Sequence, residues 1–375
     1  MTLRIAFVMS GLGIVERGAE AFVVELAEAL RERGVAVTTF GRGTPPVPDR
    51  QLWAVPRDAP WLTRLYRFRW LRKVLDTLWL DPLNVEWATA SWSAQGPLRR
   101  GDFDVLVMEG GLIGAAIARR LRRRRGTAFV DIAHGNSPKW ERAFARQGPD
   151  RVVAFTGAAA EMIAAGAPQA AIEVIPHGVD LDRFHPGAPP APCELPAPVV
   201  MTAGALDDHK RIDRAIAAVA ELHRRGRRTS LLVLGRGPLA EPLDELAHRL
   251  LGRQHYRRLA VPRAEMPGWF TVADVLTLPS ISEAFGLAYL EALACGLPCV
   301  APDDAVRREV LGEVGLYADP EDTAAYADAL AAALDRDWQN LPRQRAEAFS
   351  AQATIDAYQR LFETLAAERR SGSPP

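Results

Sequence analysis

The chain has 375 residues, of which 48% are hydrophobic and 25% charged, a composition typical of a soluble globular protein long enough for two domains. Its 46 basic residues balance its 46 acidic residues, which argues against nucleic acid as a partner. The three cysteines, Cys193, Cys295 and Cys299, have neither the number of a disulfide framework nor the spacing of a metal site, and this usage fits a reducing compartment.

The first residues lead directly into a predicted strand at 5–9, which leaves no room for a signal peptide. No uncharged run approaches the length that a membrane-spanning helix needs. We therefore expect a cytoplasmic protein.

Predicted strands and helices alternate along the chain, which favours an α/β fold built on parallel sheets. In the first half, strands are predicted at 5–9, 35–40, 105–108, 128–133, 151–155 and 172–175, with an amphipathic helix at 19–33. A proline-rich stretch then indicates a linker. Beyond it, strands are predicted at 199–204, 230–235, 272–278 and 297–301, and helices at 321–333 and 351–369. We expect a first domain at 1–184, a linker at 185–197 and a second domain at 198–350.

Two carboxylates eight positions apart, Glu283 and Glu291, are the most informative pair in the sequence. From 287 to 295 every residue except Glu291 is apolar or small, so this short helix should be buried and Glu291 should meet a polar partner. The helix follows a predicted strand and ends at Gly296 before the next strand. Glu283 should therefore lie at the carboxyl end of a strand, where open α/β sheets bind ligands.

This segment resembles the E-x7-E signature of retaining glycosyltransferases with the GT-B fold, especially glycosyltransferase family 4. The resemblance implies two Rossmann-like domains facing each other across a cleft, with the helix at 351–369 crossing back onto the first. It implies that Glu283 binds hydroxyls of the donor sugar and that Glu291 binds the ribose of the nucleotide. Carboxylates suit both roles because they can accept two hydrogen bonds from a vicinal diol. The backbone between them would bind the diphosphate at the helix start, through Ala284, Phe285, Gly286 and Leu287. The alternative is that both glutamates are structural, with Glu283 at the start of a helix and Glu291 buried in an ion pair.

A second matching segment runs from Ala203 to Lys210 and resembles the strand and loop that deliver an arginine and a lysine to the diphosphate, with Gly204 at the strand end. Lys210 matches the lysine, and it is one of only three lysines in the chain. Ala205 stands where the family has arginine. Arg211 and Arg236 are candidates to supply the missing charge, with a solvated surface position as the alternative.

In the first half, His134 ends a predicted strand and resembles the family histidine beside the donor phosphate. We accordingly expect His134, Lys210 and Glu283 to be the catalytic residues. The loop after the first strand resembles the family's glycine-rich acceptor-side loop, and it could equally be a tight turn. Its expected acceptor-side residues are Gly11, Gly13, Glu16, Arg17 and Gly18.

The resemblance also implies the reaction. A sugar passes from a nucleotide-diphosphate sugar to a hydroxyl of a small-molecule, glycan or lipid-linked acceptor with retained configuration, and neither a cofactor nor a metal ion is required. Asp102 and Asp104 superficially look like a metal-binding pair, and we interpret them as polar residues at a strand entry. Three alternatives stay open: a nucleotide-sugar-binding protein or epimerase on the same fold, and a dinucleotide oxidoreductase, whose glycine fingerprint is incomplete here.

Six of the nine tryptophans lie between 51 and 100. Within 61–79, arginines interleave with aromatic and aliphatic residues, as in helices that lie on anionic lipid headgroups. This pattern predicts a peripheral contact with the inner face of the membrane. The alternative is a helical subdomain with its tryptophans packed inside.

Overall fold

The computed structural model describes residues 2–15, 18–135 and 137–371. The chain divides into two compact units. The first contains the residues up to 155, residues 159–175 and those from 355 onward, and the second contains residues 156–158 and 176–354. The segment 176–184 thus groups with the second unit, and most of the last helix groups with the first.

The first unit is a parallel sheet covered by helices. Its strands are β1 (Arg4–Met9), β2 (Ala36–Gly41), β3 (Arg50–Gln51), β4 (Val105–Glu109), β5 (Ala128–Ile132), β6 (Arg151–Ala154) and β7 (Ile172–Val174). The order is β3-β2-β1-β4-β5-β6-β7, which contains the 3-2-1-4-5-6 order of Rossmann folds. In register, Ile5 lies between Val37 of β2 and Val105 of β4. The helices of the first half of the chain are α1 (Gly18–Glu32), α2 (Pro60–Tyr66), α3 (Arg69–Thr77), α4 (Pro82–Arg100), α5 (Gly111–Arg125), α6 (Pro138–Ala145) and α7 (Gly157–Ala164).

The second unit repeats this plan. Its strands are β8 (Val199–Ala203), β9 (Ser230–Leu234), β10 (Tyr256–Leu259), β11 (Val275–Thr277), β12 (Cys299–Ala301) and β13 (Gly315–Tyr317), in the order β10-β9-β8-β11-β12-β13. Its helices are α8 (Ile212–Arg224), α9 (Ala240–Leu251), α10 (Met266–Phe270), α11 (Leu287–Ala294), α12 (Ala305–Leu311), α13 (Thr323–Asp335) and α14 (Leu341–Glu347). Two Rossmann-like units therefore confirm the predicted α/β class.

The last helix, α15 (Ala351–Arg370), supplies part of the core of the first unit. Phe362 is fully buried, and its ring meets that of Phe7 on β1 edge to face at 6.1 Å between centroids. Tyr358 is equally buried and lies 5.5 Å from the ring of Phe22 on α1. The chain thus closes the first sheet with its final helix.

The structure departs from the sequence prediction at the short strands. The strand expected at 272–278 narrows to β11, because the side chain of Asp274 accepts a hydrogen bond from Val199 N at 2.7 Å just before the ladder begins. Strands β10 and β13 were not predicted, since neither shows the apolar alternation that indicates a strand. In the described part of the chain, every helix is too short or too polar to cross a bilayer.

Candidate active site

Lys210 and Glu283 form an ion pair, with 2.7 Å between Lys210 Nζ and Glu283 Oε1. They follow strands β8 and β11, which are neighbours in the second sheet, so their loops emerge at the same carboxyl edge. Ser280 adds a hydrogen bond, its Oγ donating to the same Glu283 oxygen at 2.7 Å. Two of the three predicted catalytic residues are therefore in direct contact. Both side chains are only partly exposed, which strengthens the pairing.

The backbone around Lys210 is fixed by local hydrogen bonds. Asp207 Oδ1 accepts from the backbone N–H groups of His209 at 3.0 Å and Lys210 at 3.2 Å. Ile281 N donates to His209 O at 2.9 Å, which ties this loop to the Glu283 loop. Gly204 has φ = +152°, and a Cβ there would lie 3.5 Å from Lys210 Cε. A glycine therefore suits the backbone that lets the lysine side chain lie across the end of β8.

Arg307 supports the Glu283 loop and was not predicted. Its side chain is 1% exposed, and its Nη2 donates to both the carbonyl and the Oγ of Ser280 at 2.7 Å. It also forms an ion pair with Asp304, the N-cap of α12. The relay from Arg307 through Ser280 holds the carboxylate of Glu283 in place. An arginine in a short helix 24 positions downstream carries no sequence signal of such a role.

Glu291 is buried on α11, and Arg263 is its ion-pair partner, at 2.9 Å from Nη1 to Oε1. The prediction that a polar group meets this carboxylate is confirmed. Arg263 lies in a short turn before α10, where the sequence shows no periodicity. Burial, followed by the nearby charge of Glu291, raises the pKa of Cys295 to about 12, so this thiol stays protonated and behaves as a core residue.

The start of α11 is shaped by the two residues before it. Gly286 has φ = +88°, and a Cβ there would lie 2.5 Å from the ring of Tyr289, so the position requires glycine. Phe285 is buried, and its ring meets that of His177 edge to face at 5.4 Å. Leu287 is the first helical residue, as predicted, and Ala284 lies partly buried in the same loop. A buried aromatic ring and a left-handed glycine therefore fix the direction of the helix amides.

The two candidate arginines differ in their surroundings. Arg211, which has φ = +52°, forms an ion pair with Glu321, so acidic side chains already engage its guanidinium. Arg236 is exposed and forms no ion pair with the described residues. The glycines on either side of it allow the loops after β8 and β9 to touch, because a Cβ on Gly235 would lie 1.9 Å from Gly204 O and one on Gly237 would lie 2.3 Å from Leu206 O. Arg236 is thus the better placed of the two to offer a free positive charge.

His134 lies just beyond β5 in the first unit, enclosed by aromatic rings. Its ring is 5.9 Å from that of Phe22 and 5.5 Å from that of Phe155. Burial lowers the pKa of His134 to about 4, so the imidazole is neutral at physiological pH. It can therefore donate or accept a hydrogen bond but brings no positive charge.

The glycine-rich loop after β1 is explained by close packing. Gly13 has φ = +74°, and a Cβ there would lie 2.1 Å from Val47 O; a Cβ on Gly11 would lie 2.1 Å from Glu20 Oε1. Gly18 is the first residue of α1. The two remaining acceptor-side candidates, Glu16 and Arg17, lie outside the described residues.

A buried ionic cluster beside this loop was missed by the sequence analysis. Glu86 is fully buried and forms ion pairs of 2.6 Å with both Arg57 and Arg42, while Ser10 Oγ donates to it at 2.8 Å. Burial alone would raise the pKa of Glu86, but the hydrogen bonds from Arg57 and Ser10 outweigh it and lower the pKa below its usual value. Glu86 is therefore ionised and fixes the end of β1.

Asp102 and Asp104 lie at a strand entry, as interpreted. Asp104 Oδ2 accepts from Arg4 N at 2.9 Å, and Asp102 forms an ion pair with the Arg4 side chain. Across the described residues, no group of three or more histidine, cysteine, aspartate or glutamate side chains is arranged to hold a metal ion.

The tryptophan-rich stretch divides into two parts. Trp79 and Trp87 pack against Trp140 of α6, with the first pair 4.4 Å apart between ring centroids. In contrast, Trp61 on α2 and Trp70 on α3 are 55% and 71% exposed. The alternative of a subdomain with all its tryptophans packed inside is therefore wrong for these two.

Two family models match the chain. The model for Glycosyltransferase Family 4 matches residues 17–183, and the model for Glycosyl transferases group 1 matches residues 197–336. The two ranges together cover most of the sequence.

Several proteins of named activity are similar to this chain. A GDP-mannose-dependent alpha-(1-6)-phosphatidylinositol monomannoside mannosyltransferase of Mycolicibacterium smegmatis is 33% identical over 57% of the chain and 62% of its own length, so the chain spans less than two thirds of that relative. A D-inositol 3-phosphate glycosyltransferase of Xylanimonas cellulosilytica is 29% identical over 85% of the chain and 84% of its own length.

Among solved structures, sucrose-phosphate synthase from Thermosynechococcus elongatus superposes with a TM-score of 0.77 at 21% identity, over 97% of the chain and 99% of that protein. At this identity the likeness concerns the fold, and it agrees with the predicted GT-B architecture. Glycosyltransferase family models therefore match both halves of the chain, which confirms the predicted resemblance to glycosyltransferase family 4.

Proposed function

We propose that this chain is a retaining glycosyltransferase that moves a sugar from a nucleotide-diphosphate sugar to an acceptor hydroxyl in the synthesis of a cell-surface glycan, glycolipid or natural product. The observation that carries the proposal is the Lys210–Glu283 ion pair at the carboxyl edge of the second sheet, held by Ser280. A lysine and an oriented carboxylate at one edge suit a ligand that has both phosphates and sugar hydroxyls.

In this proposal the second unit holds the donor. Glu291 accepts hydrogen bonds from the ribose, and its burial keeps the carboxylate pointing one way. Lys210 turns from Glu283 to the diphosphate when donor binds, which frees Glu283 for the sugar hydroxyls. The backbone amides from Phe285 to Leu287 present partial positive charge to the phosphates. Arg236 supplies the positive charge of the family arginine that Ala205 replaces.

The proposed reaction needs no enzyme nucleophile. The bond between the anomeric carbon and the diphosphate oxygen breaks while the acceptor oxygen bonds to the same face of that carbon, and the acceptor proton passes to the leaving phosphate. Charge therefore builds on the diphosphate, where Lys210 stabilises it. Neutral His134 contributes a hydrogen bond rather than a charge, and neither a cofactor nor a metal ion takes part.

We further propose a peripheral contact with the inner face of the membrane through residues 61–79, consistent with a lipid-linked acceptor in a cytoplasmic enzyme. The support is an exposed surface in which Trp61, Phe68 and Trp70 stand beside the exposed basic residues Arg64 and Arg67. Indole rings suit the headgroup region, and arginines suit anionic phosphates.

Donor binding can be tested by thermal-shift measurements with uridine, guanosine and adenosine diphosphates and their sugar derivatives. A nucleotide at 100 times its Kd stabilises the folded state by about 2.7 kcal/mol. We expect one base to raise Tm in the wild type, Glu291→Ala to abolish that shift, and Lys210→Ala to weaken it and to slow turnover. The control is Glu313→Ala, which removes an exposed carboxylate of the same unit.

The products separate the candidate functions. Transfer or slow hydrolysis of the sugar supports the transferase, conversion of one nucleotide sugar into its epimer supports an epimerase, and binding without either supports a binding protein. Unchanged shifts and turnover in both active-site variants would refute the assignment of this edge as the donor site.

A further inference from the structure

A surface pocket of the first unit is lined mainly by basic side chains. It has a volume of about 340 Å³, and its lining consists of Arg72, Lys73, Asp76 and Thr77 from α3 and Lys139 from α6. A space of this size is sufficient for a small ligand. Lys139 is the second residue of α6, the helix that follows β5, so the pocket lies towards the carboxyl edge of the first sheet.

The charges that line this pocket do not cancel. Arg72, Lys73 and Lys139 bring three positive charges, whereas Asp76 brings one negative charge. Asp76 already accepts a hydrogen bond from the Tyr66 hydroxyl, and its Oδ2 lies 3.8 Å from Arg72 Nε. With the residues that the structure describes, neither lysine forms an ion pair. Two positive charges are therefore left over, and this matches a phosphate monoester, which carries close to two negative charges above its second pKa of about 6.

The two lysines are informative because lysine is rare in this chain. Only three of the 46 basic residues are lysines, and the third, Lys210, lies at the candidate donor site. An ammonium is a compact charge with three N–H donors that can turn to any phosphate oxygen, while a guanidinium binds two oxygens at once with its planar fork. Two ammonium groups and one guanidinium around a single pocket therefore suit the tetrahedral oxygens of a phosphate.

Aromatic rings order the cations on both sides of the pocket. Lys139 Nζ lies 5.5 Å from the ring centroid of Trp79 and 6.0 Å from that of Trp140. Trp79 has φ = +59°, a left-handed backbone that bulky residues rarely adopt, and strained residues of this kind are concentrated at binding sites. On the α3 side, the guanidinium of Arg72 lies 5.3 Å from the ring centroid of Tyr66. Two of the three cations are thus held in place before a ligand binds, which reduces the entropy lost on binding.

We propose that Arg72, Lys73 and Lys139 form a binding site for a phosphate monoester, and that the acceptor of the transfer carries this phosphate. The assignment of the ligand as the acceptor rests on the proposed transferase function, whereas the phosphate site itself does not. The same phosphate chemistry occurs in soluble polyol phosphates and in the headgroup of phosphatidic acid, so the test distinguishes these two sources.

Isothermal titration calorimetry with matched probes tests the soluble source. The pairs are glycerol 3-phosphate with glycerol and glucose 6-phosphate with glucose. We expect the ester of at least one pair to bind about tenfold more tightly than its alcohol, because hydrogen bonds to charged groups contribute at least this much. The difference should shrink at high salt, since the pocket is open to solvent.

Vesicle co-sedimentation tests the lipid source. Phosphatidylcholine vesicles that contain phosphatidic acid are compared with vesicles that contain phosphatidylglycerol, with the two compositions adjusted to equal zeta potential. Phosphatidic acid has a phosphate monoester and phosphatidylglycerol has a diester. At equal surface charge, a several-fold larger bound fraction on phosphatidic acid indicates recognition of the monoester in the pocket.

Variants connect either preference to the pocket. The double variant Lys73→Gln, Lys139→Gln removes the two unpaired ammonium groups and should abolish the preference for the phosphate monoester while leaving the alcohols unaffected. Lys210→Gln, which changes the third lysine, should retain the preference and so excludes ester binding at the donor site. Arg123→Gln, which removes an exposed charge of the same unit, should also retain it. The Tm of each variant checks that it folds.

The outcomes separate the phosphate site from the proposed function. A preference in either arm that the double variant loses supports the site, and the arm that shows it identifies the source. If a nucleotide diphosphate binds but neither arm shows a preference, or if the preference survives in the double variant, the phosphate site is wrong and the transferase proposal stands. If the monoester binds through the two lysines but no nucleotide binds and no sugar is transferred, the phosphate site stands and the proposed function fails. Sugar transfer to the alcohol as readily as to the ester of the preferred pair would overturn the assignment of the ligand as the acceptor.

Discussion

Replacing Arg307 with methionine should destabilise the second unit and weaken donor binding together. The side chain is 1% exposed, and it donates two hydrogen bonds of 2.7 Å to Ser280, which is itself buried. Methionine fills a similar volume but leaves the carbonyl and hydroxyl of Ser280 without their donor, at about 1–3 kcal/mol each. Part of this loss is offset because a guanidinium no longer has to be buried. We therefore expect a net loss of about 3 kcal/mol, which lowers Tm by about 6–12 °C in a domain of this size.

The matched control is Arg308→Met, one position along the same helix. Arg308 is 58% exposed and pairs with an exposed Asp303, so its loss should change stability by about 0.5 kcal/mol or less. Scanning calorimetry measures both variants, and titration of the best nucleotide sugar measures donor affinity at a temperature where each is folded. Because Ser280 orients Glu283, Arg307→Met should bind the sugar nucleotide more weakly than the control does. The two variants should bind the free nucleotide with equal affinity. Equal Tm values for the two variants, or an equal loss of affinity for the sugar nucleotide and the free nucleotide in Arg307→Met, would contradict the relay from Arg307 through Ser280 to Glu283.

Two further predictions concern the first unit. The protein should co-sediment with phosphatidylglycerol vesicles but not with phosphatidylcholine vesicles, and the double variant Trp61→Ser, Trp70→Ser should reduce the bound fraction several-fold. The control Trp92→Ser, which removes an equally exposed ring outside 61–79, should have little effect. An equal loss of binding in Trp92→Ser would contradict a localised contact. The pKa of Glu141 in the folded state is raised to about 8, so between pH 4.5 and 8 the folded state keeps a proton that the unfolded state has released. The free energy of unfolding should therefore fall as pH rises from about 4.5 to 8, by up to about 1.4 kcal/mol per pH unit for this group. Glu141→Gln should flatten this slope in urea unfolding at pH 5 to 8, and an unchanged slope would show that Glu141 does not hold the proton.

The alternation of strands and helices was enough to predict the α/β class and its parallel sheets, because the buried parallel strands are continuous apolar runs. The two Rossmann-like units were implied by the family resemblance. The second sheet was predicted less completely. Strand β10 carries two arginines, Arg257 and Arg258, and β13 is only three residues long, so neither has a periodic pattern. Their places in the sheet depend on tertiary pairing with β9 and β12.

At the candidate site, the sequence identified residues that contact one another but not the arginines that hold them in place. Lys210 and Glu283 were found through a family resemblance and are an ion pair in the structure. Arg263 and Arg307 were missed, since a salt bridge between distant segments leaves no local spacing to read.

The dependence of the first sheet on α15 has a consequence for how the protein is made. The ring of Phe362 completes a core that begins at Phe7, so the ribosome must synthesise the whole second unit before the first can finish folding. At about 5–20 residues per second, the interval between residues 175 and 362 lasts about 10–40 s. During that time the apolar side of β1 that α15 later covers is available to chaperones, and a nonsense codon between residues 176 and 354 leaves both units incomplete.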